Sequence, residues 1–90
     1  MKLINIGFGN MVAAQRIVAL IAPDSAPIKR AIQDVRERGL LIDASFGRST
    51  KTVIVMDSGN FILSALPAEA LTQRIDPQND EREAQTQNGE

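Results

Sequence analysis

The sequence predicts an α+β fold: one small domain with a single mixed, mainly antiparallel sheet, one main helix and a short C-terminal helix, in the order ββαβββα. Three observations predict it. Ile17 to Ile21 and Val53 to Met56 are apolar runs of strand length, rich in β-branched side chains. Between Ser25 and Arg38 the apolar spacing lengthens to that of a helix. Asp57-Ser58-Gly59-Asn60, flanked by apolar runs, has the composition of a hairpin turn.

Taken in order, Leu3 to Ile6 is a short strand ended by Gly7-Phe8-Gly9-Asn10, a turn whose glycines can adopt positive φ. Neither the dinucleotide fingerprint nor the lysine-bearing phosphate loop is present here. Met11 to Gln15 leads into the next strand, with Arg16 at its apolar threshold. Five consecutive apolar residues, Ile17 to Ile21, are expected in a strand covered on both faces, and Pro23 stops it. Ser25 can cap the helix by accepting a hydrogen bond from an orphan N–H, and Pro27 falls in the first turn, where a missing donor costs little. Ile28, Ala31, Ile32 and Val35 form the core-facing stripe, and Gly39 supplies the stop. Lys29 and Arg30 stand near the N-terminal end, where the macrodipole is already positive. That placement suits an anionic partner such as phosphate; the plainer alternative is a solvated mixed-charge face, with Asp34 and Arg38 paired at i, i+4. Leu40 to Phe46 reads as a third strand with Leu40, Ile42, Ala44 and Phe46 on one face and Asp43 and Ser45 on the other. Gly47 to Lys51 is a polar basic loop carrying Arg48 and Lys51. Thr52 to Met56 and Phe61 to Leu66 flank the hairpin turn, and Pro67 opens the last helix, with Glu69 in its first turn and Leu71 and Ile75 four apart.

Composition narrows the function. The chain has no Cys and no His, which excludes disulfides, thiolate chemistry, imidazole general bases and the usual zinc sites, argues against an enzyme and leaves no cofactor expected. No basic segment precedes a long apolar run, and no stretch approaches the roughly 20 apolar residues that span a bilayer, so a cytoplasmic protein without a membrane partner is expected. The net charge of −1 conceals two parts of opposite sign. Residues 1–75 hold nine Lys or Arg against six Asp or Glu, a balance of +3; residues 76–90 hold one against five, a balance of −4. Residues 76–90 are almost devoid of aliphatic side chains and are expected to be a disordered acidic tail behind a folded domain at 1–75. One main helix covers one side of a sheet, so the apolar runs suggest that the other face is met by another copy of the chain.

Four blocks together, KLINIGFGNMV, RIVALIAPDSAPIKR, GLLIDASFGRSTK and VIVMDSGNFILSAL, resemble the RemA family of bacterial extracellular-matrix regulators, over about Lys2 to Arg74. The resemblance implies a DNA-binding transcriptional regulator of matrix and biofilm genes that assembles as a ring-like homo-oligomer and associates with the nucleoid. By position, it implies that Arg16 and Arg30 contact double-stranded DNA, helped by Lys29, Arg48 and Lys51. Relatives tend to have adjacent arginines where this chain reads Arg48-Ser49, and the acidic tail has no clear counterpart. Two other classes use the same residues differently. A protein-interaction adaptor would bury the apolar faces and leave the arginines solvated. A phosphoryl-ligand enzyme or sensor would use Gly7 to Asn10 with Arg48 and Lys51 as an anion pocket, with Asp43 and Asp57 as its available carboxylates, although both are better suited to capping turns or facing solvent.

Overall fold

The computed structural model describes residues 1–77. Its first feature is a small hairpin. β1 (Leu3–Asn5) pairs antiparallel with β2 (Met11–Ala13), with Ile4 opposite Val12. The intervening turn is possible because Gly7 and Gly9 take φ of 117° and 79°. The Asn10 N–H donates to the Gly7 carbonyl at 3.0 Å, and the Ile6 N–H to the Asn10 carbonyl at 2.8 Å. Met11 to Gln15, expected as a lead-in, therefore supplies a strand of its own and one 3₁₀ turn (Ala14–Arg16) before β3 (Ile17–Ile21). The expected single sheet is consequently two: this hairpin, and a four-stranded sheet in the order β3-β5-β6-β4.

β5 (Thr52–Met56) and β6 (Phe61–Ser64) form the centre of the larger sheet, joined by the 57–60 turn as its composition predicts. β3 pairs antiparallel with β5, and β4 (Leu41–Asp43) pairs parallel with β6, so the sheet is mixed and mainly antiparallel. β3 is an edge strand rather than one covered on both faces. A register shift between Ile17 and Ala19 turns Val18 outward, where 66 % of it is exposed. β4 ends at Asp43, three residues short of the expected strand, because the Asp43 carboxylate accepts from both the Ser45 N–H (2.9 Å) and the Ser45 hydroxyl (2.5 Å) and folds the chain into a turn. Alternation is lost there: Ser45 is buried while Phe46 is 80 % exposed.

α1 (Ala26–Glu37) is capped as its sequence predicts, the Ile28 N–H donating to Ser25 Oγ at 3.3 Å. Gly39, at φ 75°, ends it in a Schellman motif, with the Gly39 and Leu40 N–H groups donating to the Arg36 and Val35 carbonyls at 3.0 Å each. α2 (Ala68–Ile75) follows Pro67 and buries Leu71 completely. Side chains alternate across β5, so Ile54 joins Ile4, Ile6, Ala44, Ile62 and Leu71 in a core beneath the hairpin and α2, while Val53 faces the other way. Both Val53 and Leu63 of that second face are buried, as is Val35 of α1. The chain thus covers both faces of its own sheet, and the apolar surface left over lies on the sheet edges, at Val18 and Ile42, and on the outer face of the hairpin, at Leu3 and Met11.

Candidate nucleic-acid interface

Two loops from distant parts of the chain meet at one end of the four-stranded sheet. Ser64, the last residue of β6, places both. Its hydroxyl donates to the Ile6 carbonyl at 2.7 Å and accepts the Leu66 N–H at 3.1 Å, while its backbone carbonyl accepts the Lys51 N–H at 2.8 Å. The glycine turn and the basic loop are therefore pinned to the same strand end. Between them lies an open cleft of about 650 Å³, with Gly7 and Phe8 on one side, Arg48, Ser49 and Lys51 on the other, and Leu66 behind. Phe8 and Phe46 stack across the loops with ring centroids 5.2 Å apart, and the Arg48 guanidinium carbon stands 5.8 Å from the Phe8 centroid, within cation–π range.

Chain direction locates the remaining cations. Ile21 of β3 pairs with Val53 of β5, so the chain leaves β3 and enters α1 at the end of the sheet where Lys51 stands. Lys29 and Arg30, in the first turns of α1, thus share that end with Arg48 and Lys51. None of Lys29, Arg30, Arg48 and Lys51 makes an ion pair among the described residues. Arg16 does not join them. Ile17 pairs with Met56, and Arg16 Nη1 donates to Asp57 Oδ2 at 3.2 Å, at the opposite end of β5. From Lys51 to Asp57 the backbone covers about 20 Å, at roughly 3.3 Å per residue. One chain therefore presents two separated basic regions.

The two carboxylates considered for an anion-handling site, Asp43 and Asp57, are engaged elsewhere. Asp43 is held below the usual aspartate pKa by the Ser45 hydroxyl first and the Ser45 N–H second, with Arg36 nearby adding to the effect and partial burial opposing it. Asp57 is paired with Arg16, and neither Asp43 nor Asp57 lines the cleft. The aromatic pair is what the sequence left unsuspected. Two of the chain's three phenylalanines occupy it, and the available signal was their setting, Gly7-Phe8-Gly9 and Phe46-Gly47, which holds a large apolar side chain at a turn instead of within a strand.

Four cations without an ion-pair partner among the described residues, two of them lining an open cleft beside Phe8, are the candidate binding features of this small domain. Residues 3–75 match the family described as "RemA-like: Extracellular matrix regulatory protein A-like", and the chain belongs to it. It is similar to a protein of Alkaliphilus oremlandii, 55% identical over 94% of this chain and 91% of the relative, to one of Dictyoglomus turgidum, 57% identical over 93% and 99%, and to one of Bacillus pumilus, 57% identical over 82% and 83%. Each is named "Putative regulatory protein". A regulatory role follows from the family. The Alkaliphilus match spans 85 residues, at least eight more than residues 1–77 contain, so part of the acidic segment has a counterpart there after all. From position 78 onward the expected tail lies outside the described residues. Among the described residues no helix is long and apolar enough to cross a membrane.

Proposed function

We propose that this protein regulates transcription of extracellular-matrix and biofilm genes by binding double-stranded DNA as a ring-like homo-oligomer, in the cytoplasm and in association with the nucleoid. Residues 1–75 are the binding domain in this proposal, and Lys29, Arg30, Arg48 and Lys51 contact phosphates, joined by Arg16 from the far end of the sheet. The observation that carries it is the gathering of four cations at one end of the molecule with no ion-pair partner among the described residues. Cations left unpaired beside a helix N-terminus favour a polyanion, and phosphate contacts supply most of the sequence-independent affinity for a duplex.

Assembly gives the two regions a common target. A single domain binds weakly, whereas repeated domains raise effective concentration and avidity by about 10² to 10⁴ without new contacts. Both outer strands of the larger sheet carry an exposed apolar side chain, Val18 on β3 and Ile42 on β4. Joining unlike edges head to tail is the kind of contact that closes a ring.

Gel-shift titration of duplex DNA over several salt concentrations, with light scattering on every variant, tests the proposal. Arg30→Ala and Arg48→Ala should each bind more weakly and lower the salt slope by about one for every subunit engaged on the duplex, with assembly unchanged. Arg38→Ala serves as a control, because Arg38 is paired with Asp34 at 3.2 Å, and should bind within a few-fold of the parent. Binding undiminished in Arg16→Ala, Arg30→Ala and Arg48→Ala would overturn the proposal in favour of a protein-interaction adaptor.

A further inference from the structure

Phe8 and Phe46 are the only non-glycine residues with positive φ among the described residues, at 54° and 55°. L side chains rarely adopt that conformation, and bulky ones least readily, so it persists only where the surroundings enforce it. Here it is enforced twice, on two loops that face each other. The result is not core packing: Phe8 remains 50 % exposed and Phe46 80 %. Beside each ring the turn is open, since a Cβ placed on Gly9 or Gly47 would meet nothing within 4 Å, while Gly7 at the base of the first turn lies against Leu66. A braced, protruding apolar pair thus stands beside Arg48 and Lys51.

We propose that Phe46, backed by Phe8, is a wedge that enters the minor groove and partly unstacks one base step, while Arg48 and Lys51 hold the flanking phosphates. This rests on the duplex-binding proposal above. Charge selects the partner, because cations on the same loop as an exposed ring suit a polyanion and do not suit an apolar protein surface. The bracing selects the mode. Phe8 and Phe46 are closed against each other, leaving no slot between them for a base, so the pair is shaped to push into a stack instead of sandwiching a nucleotide. Apolar side chains that enter the minor groove act in this way, and pyrimidine–purine steps yield most readily. The wedge therefore gives the protein a preference for sites containing a TA step, without hydrogen bonds to base edges.

The test uses the full chain and a duplex with 2-aminopurine at a central TA step, whose fluorescence rises on unstacking. Binding of the parent should raise it. Phe46→Gly, which relieves the left-handed backbone, should fold and assemble as before, keep the salt slope of the parent because no charge is lost, and give no rise. Phe46→Leu should retain most of the rise, and Arg48→Ala should lower the salt slope by about one for every subunit engaged on the duplex. Duplex binding by the parent with no rise, or a full rise in Phe46→Gly, overturns the wedge and leaves the DNA-binding proposal standing. A change of oligomeric state in Phe46→Gly overturns it by making the pair a contact between copies. Absence of duplex binding by the parent at any salt overturns both.

Discussion

Ser64 is fully buried and polar, and its hydroxyl serves two backbone groups at once, the Ile6 carbonyl and the Leu66 N–H. Replacing it by Ala leaves both without that partner in a site closed to water, which costs about 1–3 kcal/mol. Ser64→Ala should therefore lower the free energy of unfolding by that amount and loosen the glycine turn, with faster amide exchange at Leu66. Nothing in Phe61-Ile62-Leu63-Ser64 announces this, because the groups that Ser64 satisfies lie 58 residues away and two residues ahead. Asp43 was more legible: its place in an alternating run suits a strand, but a short carboxylate there also suits a turn cap, and the Ser45 contacts make it one. Its folded pKa is depressed, so the stabilisation it provides is present above the unfolded aspartate value and is lost as pH falls through the folded value. In thermal melts from pH 7 to pH 2, Asp43→Asn should therefore lose less stability than the parent over the acidic part of the range, about pH 4 downward.

At the scale of elements, α1 was legible end to end because its determinants are local: Ser25, Pro27, the apolar stripe and Gly39 act within a few residues of where they stand. Strand neighbours are set by residues far apart in the chain, and there the sequence misled. Five apolar residues in β3 suggested a covered strand, yet β3 is an edge, half-buried, with a register shift that directs Val18 to solvent. The two-sheet arrangement was hidden for the same reason, since β2 is only three residues long and exists through its pairing with β1. An apolar side chain on an open edge is a contact in waiting, and natural edges more often carry a charge there. Val18→Lys should leave the monomer folded, because the side chain is already mostly exposed, and should dissociate the proposed oligomer. Sedimentation of the variant against the parent at micromolar concentration checks it; an unchanged mass would move the seam to the outer face of the hairpin, where Leu3 and Met11 are exposed.

Over the whole molecule, the cations legible in the sequence fall into two regions that only the topology separates, because Arg16 and Lys51 stand at opposite ends of β5. The chain leaves the described part beside the first of these. α2 brings Ile75 to Lys2, whose ammonium donates to the Ile75 carbonyl at 2.8 Å, and Lys2 in turn holds the Arg16 end of the hairpin, its N–H donating to Gln15 Oε1 at 3.3 Å and its carbonyl accepting the Ala14 N–H at 2.8 Å. The acidic residues Asp80, Glu81, Glu83 and Glu90 therefore follow a helix end bonded to Lys2, on the Gln15–Arg16 side of the hairpin, while Arg74 of the same turn donates to the Asn5 carbonyl at 2.6 Å. If they compete with DNA, they do so first at Arg16. Removing residues 78–90, which keeps the bond from the Asp76 N–H to the Thr72 carbonyl that closes α2, should leave folding and assembly intact and tighten duplex binding at low salt. The gain should shrink as the Debye length falls from about 30 Å at 0.01 M to about 8 Å at 0.15 M. Because the competition is local, it should also disappear in an Arg16→Ala background while persisting in Arg48→Ala, a coupling that a double-mutant cycle measures directly. A gain of equal size in both backgrounds would mean that the acidic segment acts through net charge alone, and no gain in any would reduce it to a solubilising extension.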